Sequence, residues 1–127
     1  EHGLDCSGFI CFVLKQCQII PERVDLSAQG LKEQLCQYTK GNHFRTGVQR
    51  VIPQGCLLFF GGSESEISHV AMTYTEVPLN GQGWIIESGG GNQKFKDKNT
   101  ALKIDPSAGV RLQLYPHRSD FIGATIL

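Results

Sequence analysis

Between Cys6 and Cys17 the apolar side chains fall at Cys6, Phe9, Ile10, Val13, Leu14 and Cys17. That spacing places all six on one face of an α-helix and fits no β-strand. The chain must therefore open on an amphipathic helix and supply a layer for it to lie on. Asp5 stands just ahead of the series as a good N-cap, and Pro21 stops anything that continues. A second helix is expected from about Ser27 to Tyr38, with Ser27 as its cap and Leu31 and Leu35 on its inner side. Lys40-Gly41-Asn42 then reads as a break.

After Pro53 the texture changes to short apolar runs set between turn residues. "CLLFF" (56–60), "HVAMTYT" (69–75), "GWIIES" (83–88), "VRLQLY" (110–115) and "FIGATIL" (121–127) all read as strands. Residues 89–109 read as a long polar loop. Helices first and strands after predict an α+β fold, an antiparallel sheet packed on the N-terminal helices. The 127 residues are expected to form a single domain, 1–127.

Twelve basic side chains balance twelve acidic ones, which gives no electrostatic reason to expect nucleic acid or an acidic membrane as partner. No apolar stretch approaches the roughly 18 residues of a membrane span. The five cysteines contain no CxxC pair, so neither a zinc ribbon nor a thioredoxin-like site is expected. Cys11, Cys17, Cys36 and Cys56 are read as small core residues, and His2, His43 and His117 as surface residues in loops. Gly89–Gly91 is read as a flexible loop and the 94–98 lysine cluster as a solvated one.

Cys6 needs a different reading. A thiol reacts as thiolate, and a helix N-terminus both lowers its pKa and offers N–H groups to an oxyanion. His69, at the start of a strand, can supply the base. If the 83–88 strand pairs antiparallel with the 69–75 strand, its end lies beside His69, and Glu87 is the natural group to orient the imidazole. Asn92 is the next candidate for that role.

"LDCSGFI", "ISHVAM" and "WIIESGGG", in that order, resemble the NlpC family of papain-like cysteine peptidases, which cut bacterial cell-wall peptides. "IPQGCLLFF" and the terminal "DFIGATIL" are similar to the family's turn-and-core strand and its closing strand. The resemblance implies a papain-like fold with Cys6 as nucleophile, His69 as general base and Glu87 as third catalytic residue. It implies that Asp5 and Ser7 hold the free amino end of a stem peptide, with Ser68 and Ser88 completing the substrate-binding set. The implied activity is hydrolysis at the D-glutamyl–diamino-acid bond through an acyl-enzyme, with no metal or organic cofactor. The implied setting is the cell envelope or beyond it, as a monomer. An amidase or acyltransferase on the same scaffold, or a silent wall-binding module, are the competing readings. Two positions depart from the family: Glu87 stands where His, Asn or Gln is usual, and Cys56 where an aspartate is common. The family's tyrosine upstream of the nucleophile is not located among the five residues before Cys6, and the resemblance implies that part of the N-terminal region of the family fold is expected before Glu1.

Overall fold

The computed structural model describes residues 5–39, 44–46, 51–78, 81–88, 101–105, 110–115 and 119–127. The first helix, α1, spans Cys6–Gln16, and Asp5 caps it by accepting from the Gly8 amide at 2.6 Å. Phe9, Ile10, Cys11 and Leu14 form its buried face. Cys11 extends the expected stripe because its thiol donates to the Leu26 carbonyl at 3.3 Å, tying the inter-helix segment to α1.

Pro21 is not what ends the helix. The Ile19 amide reaches back to the Leu14 carbonyl and the Gln18 amide to that of Lys15, with Gln18 at φ +60°. This is a Schellman closure with glutamine in the left-handed position that glycine usually takes. The early stop puts Cys17 outside the helix and exposes it; Cys36 is exposed too, so the core reading holds only for Cys11 and Cys56. The second helix, α2 (Ala28–Gln34), is capped by Ser27 through the Gly30 amide at 3.0 Å and tightens into a 3₁₀ turn over Leu35–Gln37.

Among the described residues nine strands follow: β1 Phe44–Thr46, β2 Val51–Ile52, β3 Leu57–Gly61, β4 Ile67–Thr73, β5 Val77–Pro78, β6 Gly83–Ser88, β7 Ala101–Asp105, β8 Val110–Tyr115 and β9 Phe121–Thr125. Seven make one antiparallel sheet in the order β1-β9-β3-β4-β6-β8-β7, and β2 pairs with β5. The α+β class is therefore present, with two helices on an antiparallel sheet. The expectation of a loop through 89–109 is corrected at 101–105, which pairs with β8 as a terminal strand. The expected break at 40–42, the 89–91 glycines, the 94–98 cluster, Asn92, His2, His43 and His117 lie outside the described residues.

Strand alternation divides the core in two. Leu57, Phe59, Val70 and Val110 face the helices and meet Phe9, Ile10, Leu14, Leu31 and Leu35. Leu58, Phe60, Ala71, Ile85 and Ala124 face the other way and are joined by Ile52, Cys56 and Val77. Among the described residues no helix is long and apolar enough to cross a membrane.

Candidate active site

Two irregularities in β4 create the site. Against β3 its register runs evenly from Leu57↔Met72 to Phe60↔His69, then jumps to Gly61↔Ile67, so Ser68 is an extra, bulged residue. A bulge re-aims the side chains beside it. The bulge also brings backbone very close to Gly61, where an added Cβ would lie 2.1 Å from the Glu66 carbonyl oxygen. Only glycine fits there. On the other edge, β4 pairs with β6 only at Met72↔Ile86 and Thr73↔Ile85. Beyond those two rungs the strands part.

The N-terminus of α1 meets β4 where the strands part. The half-buried Cys6 thiol lies 3.9 Å from the Ser68 carbonyl oxygen, its hydrogen-bond acceptor, and the Val70 amide also faces the sulfur. Cys6 comes from the helix side of the sheet. His69 and Glu87 share the opposite face with Ala71 and Ile85, and their side chains meet diagonally across the strands. His69 Nε2 is 2.7 Å from Glu87 Oε1, and the two residues are only 6% and 1% exposed. With Nε2 committed to the carboxylate, Nδ1 is the ring nitrogen left to serve the sulfur, and thiol and imidazole each shift the other's protonation.

Burial works against charge on both groups, pushing the thiol pKa up and the imidazole pKa down. For Cys6 the imidazole's hydrogen bond and charge, with help from the Val70 amide, outweigh burial and the nearby Asp5 carboxylate; the thiol is held below its ordinary value. For His69 the hydrogen bonds to Cys6 and Glu87 and their charges outweigh burial and lift the imidazole to about 9. Both shifts favour a thiolate–imidazolium pair. Cys11 and Cys56 go the other way, raised chiefly by burial.

Asp5 is exposed beside the thiol, with Oδ1 turned to the Gly8 amide at 2.6 Å and to the Ser7 hydroxyl at 3.5 Å. Ser68 is exposed. Ser88 departs from its expected place in the substrate-binding set. It is fully buried on the helix-facing side of β6, so it has no surface to offer a substrate. Cys56, at the position unlike the family, is buried just ahead of β3, its amide donating to Thr73 Oγ1 at 2.8 Å. Thr73 in turn donates to the Pro53 carbonyl at 2.7 Å, so a threonine on β4 braces the turn there.

Sequence reasoning missed Arg111. It sits directly opposite Glu87 in the β6–β8 ladder, 4% exposed, with Nη2 2.8 Å from Glu87 Oε2. In "VRLQLY" the arginine falls on the polar side of an alternating strand, which reads as a solvated face. The sequence carries no signal for it, because the Glu87↔Arg111 register exists only in the folded sheet. Among the described residues no group of three His, Cys, Asp or Glu could hold a metal ion. No family model, curated protein or solved structure matches the chain.

Proposed function

We propose that the chain is a papain-like cysteine endopeptidase of the NlpC type, hydrolysing peptidoglycan stem peptides at the D-glutamyl–diamino-acid bond in or beyond the cell envelope. The observation that carries the reading is the line Cys6–His69–Glu87, in which a helix-terminal thiol and a buried, carboxylate-held imidazole have their pKa values moved toward the ion pair. Core packing needs no such pairing, whereas nucleophilic catalysis by sulfur does.

In the proposed reaction the Cys6 thiolate attacks the scissile carbonyl carbon. The first N–H groups of α1, which have no acceptor within the helix, face the developing oxyanion. His69, already protonated, gives its proton to the leaving amine as the C–N bond breaks, leaving a thioester on Cys6. Neutral His69 then takes a proton from water, whose oxygen attacks the thioester. The acid leaves, and the proton returns the pair to its starting state. Glu87 keeps the imidazole in one orientation and tautomer throughout. Asp5, exposed beside the thiol and negatively charged, suits the free amino end of a stem peptide, with Ser7 and Ser68 beside it.

Digestion of purified peptidoglycan with mass analysis of the fragments tests the reading, with the Cys6→Ala protein as blank. Release of fragments cut within the stem peptide, absent from the blank, is expected. Cleavage at the sugar–peptide amide would make the chain an amidase instead. Intact wall that nonetheless retains the protein would make it a silent binding module.

A further inference from the structure

Glu87 is an unusual choice for the group that orients an imidazole, because burying a carboxylate is costly unless its charge is matched. At 1% exposure it has His69 Nε2 on one oxygen at 2.7 Å and Arg111 Nη2 on the other at 2.8 Å. Arg111 is itself braced, its Nε donating to Gln113 Oε1 at 3.2 Å on the same strand. Guanidinium stays charged at any pH the fold survives. The buried row therefore alternates in sign: sulfur, imidazole, carboxylate, guanidinium.

We propose that Arg111 is a positioning residue acting through Glu87. Its guanidinium fixes Oε2 so that Oε1 is aimed at His69, and its permanent charge offsets the carboxylate's, so that the proton shared by Cys6 and His69 is not trapped on the imidazole. The proposal rests on the reading of Cys6 and His69 as a reactive pair, not on the substrate.

The other groups around His69 leave this role to Arg111. From α1 come Cys6 and the Asp5 carboxylate at its cap, and from β6 comes Glu87 itself. β3 presents the Phe60 ring, 5.6 Å from the imidazole. β9 brings Phe121, with Asp120 just ahead of it, and β8 adds the phenol of Tyr115, whose pKa burial raises. Among the described residues Arg111 is the permanent cation of this group. Removing it takes positive charge from the row, which makes the thiolate harder to form and the imidazolium harder to discharge.

The test follows the rate of Cys6 alkylation against pH, read from the mapped peptide, in the natural protein, Arg111→Lys and Arg111→Gln, each shown to be folded by circular dichroism. Arg111→Gln is expected to move the midpoint up by about one pH unit, from a charge a few ångströms beyond His69 in a partly shielded site. Arg111→Lys keeps the charge and is expected to stay within a few tenths of the natural midpoint. A folded Arg111→Gln protein with the natural midpoint, or one moved down, overturns the proposal; a purely structural arginine would give the former. Should Arg111→Gln not fold, Glu87→Gln and the double variant Glu87→Gln/Arg111→Gln carry the same comparison. Glu87→Gln already removes the positioning, so the double variant isolates the charge of Arg111: its midpoint must lie above that of Glu87→Gln, and equality overturns the proposal. Failure of the peptidase reading looks different: Cys6 would still alkylate at low pH, with the Arg111 shift intact, while the wall stayed uncut.

Discussion

The helix-covered face of the sheet buries more large apolar side chains than the face behind it, and the two differ in what lies among them. On the helix side Leu57, Phe59, Val70 and Val110 close over Phe9, Ile10, Leu14, Leu31 and Leu35, and Ser88, a buried polar side chain on that side, is uncharged. Behind the sheet Leu58, Phe60, Ala71 and Ile85 surround His69, Glu87, Thr73 and Arg111, which are 6%, 1%, 2% and 4% exposed. Cys6 packs at the margin of the helix-side core. It reaches His69 from the helix side through the place where β4 bulges and parts from β6. The first face holds the helices, and the second face stores charge in an apolar setting, where Coulomb interactions are strong and every charged group must have its counterpart.

The largest effect that separates the faces is catalytic. His69→Ala is expected to lower peptide hydrolysis by at least 100-fold while leaving the helix-side core and the far-ultraviolet circular dichroism unchanged. A His69→Ala protein with natural turnover would remove the second face from the mechanism.

Next in size is the junction between the faces. An alanine at Gly61 would set its Cβ 2.1 Å from the Glu66 carbonyl oxygen and 2.9 Å from Ile67 Cα, so the bulge must move. Gly61→Ala is expected to cost about 1–3 kcal/mol in urea unfolding. It should also lower hydrolysis beyond what that loss of stability explains, because the bulge places both Ser68 and His69. Full activity in a destabilised Gly61→Ala protein would separate the bulge from the site.

The pH dependence of stability distinguishes a charged pair from a neutral one. His69 is raised from 6.5 to about 9, so its contribution is fully present below about pH 6.5 and is lost as pH rises through about 9. Cys6 is lowered from 9.0, so its contribution is present above pH 9 and is lost as pH falls through the lowered value. Above both 6.5 and the lowered Cys6 value, and below about 9, the folded pair and the unfolded pair bind the same number of protons, and the two trends cancel. The pair should thus add no slope to unfolding free energy over that range. In Cys6→Ala the imidazole keeps the hydrogen bond and charge of Glu87 without the thiolate's opposing trend, and stability should fall as pH rises above 6.5. Identical pH profiles for the two proteins would contradict the ion pair.

The smallest effect lies on the helix side alone. Gln18 carries the left-handed turn at φ +60° that ends α1. Gln18→Gly is expected to stabilise the fold by about 0.5–1 kcal/mol, read as a higher urea midpoint, with hydrolysis unchanged. A matching change in activity would show that the two faces are coupled through the helix end.

Legibility in the sequence follows the same division. The stripe on α1, the Asp5 and Ser27 caps and strands β3, β4, β6, β8 and β9 are visible because each is long enough for its period to repeat. β1, β2 and β5 hold two or three residues and show no period. β7 is a terminal strand of five residues inside a polar stretch. The Cys6–His69–Glu87 constellation was legible because motif context and one antiparallel pairing place all three. The Ser68 bulge was not, since it depends on a register between strands. Arg111 was not, since its partner is cross-strand and an arginine in an alternating strand ordinarily points to water. Ser88 was misplaced because strand parity turns it toward the helices, away from its neighbour Glu87.

Selective alkylation tests the central claim, that Cys6 is a thiolate paired with His69, without knowledge of the substrate. With limiting iodoacetamide at pH 6 the peptide carrying Cys6 should be labelled first, ahead of Cys11, Cys17, Cys36 and Cys56. Cys17 and Cys36 are exposed and so control for access, whereas Cys11 and Cys56 are buried and control for burial. His69→Ala should slow labelling of Cys6 by removing its positive partner, and unfolding should abolish the preference. Cys17 and Cys36 reacting first in the folded protein, with Cys6 protected or unaffected by the loss of His69, would contradict the account.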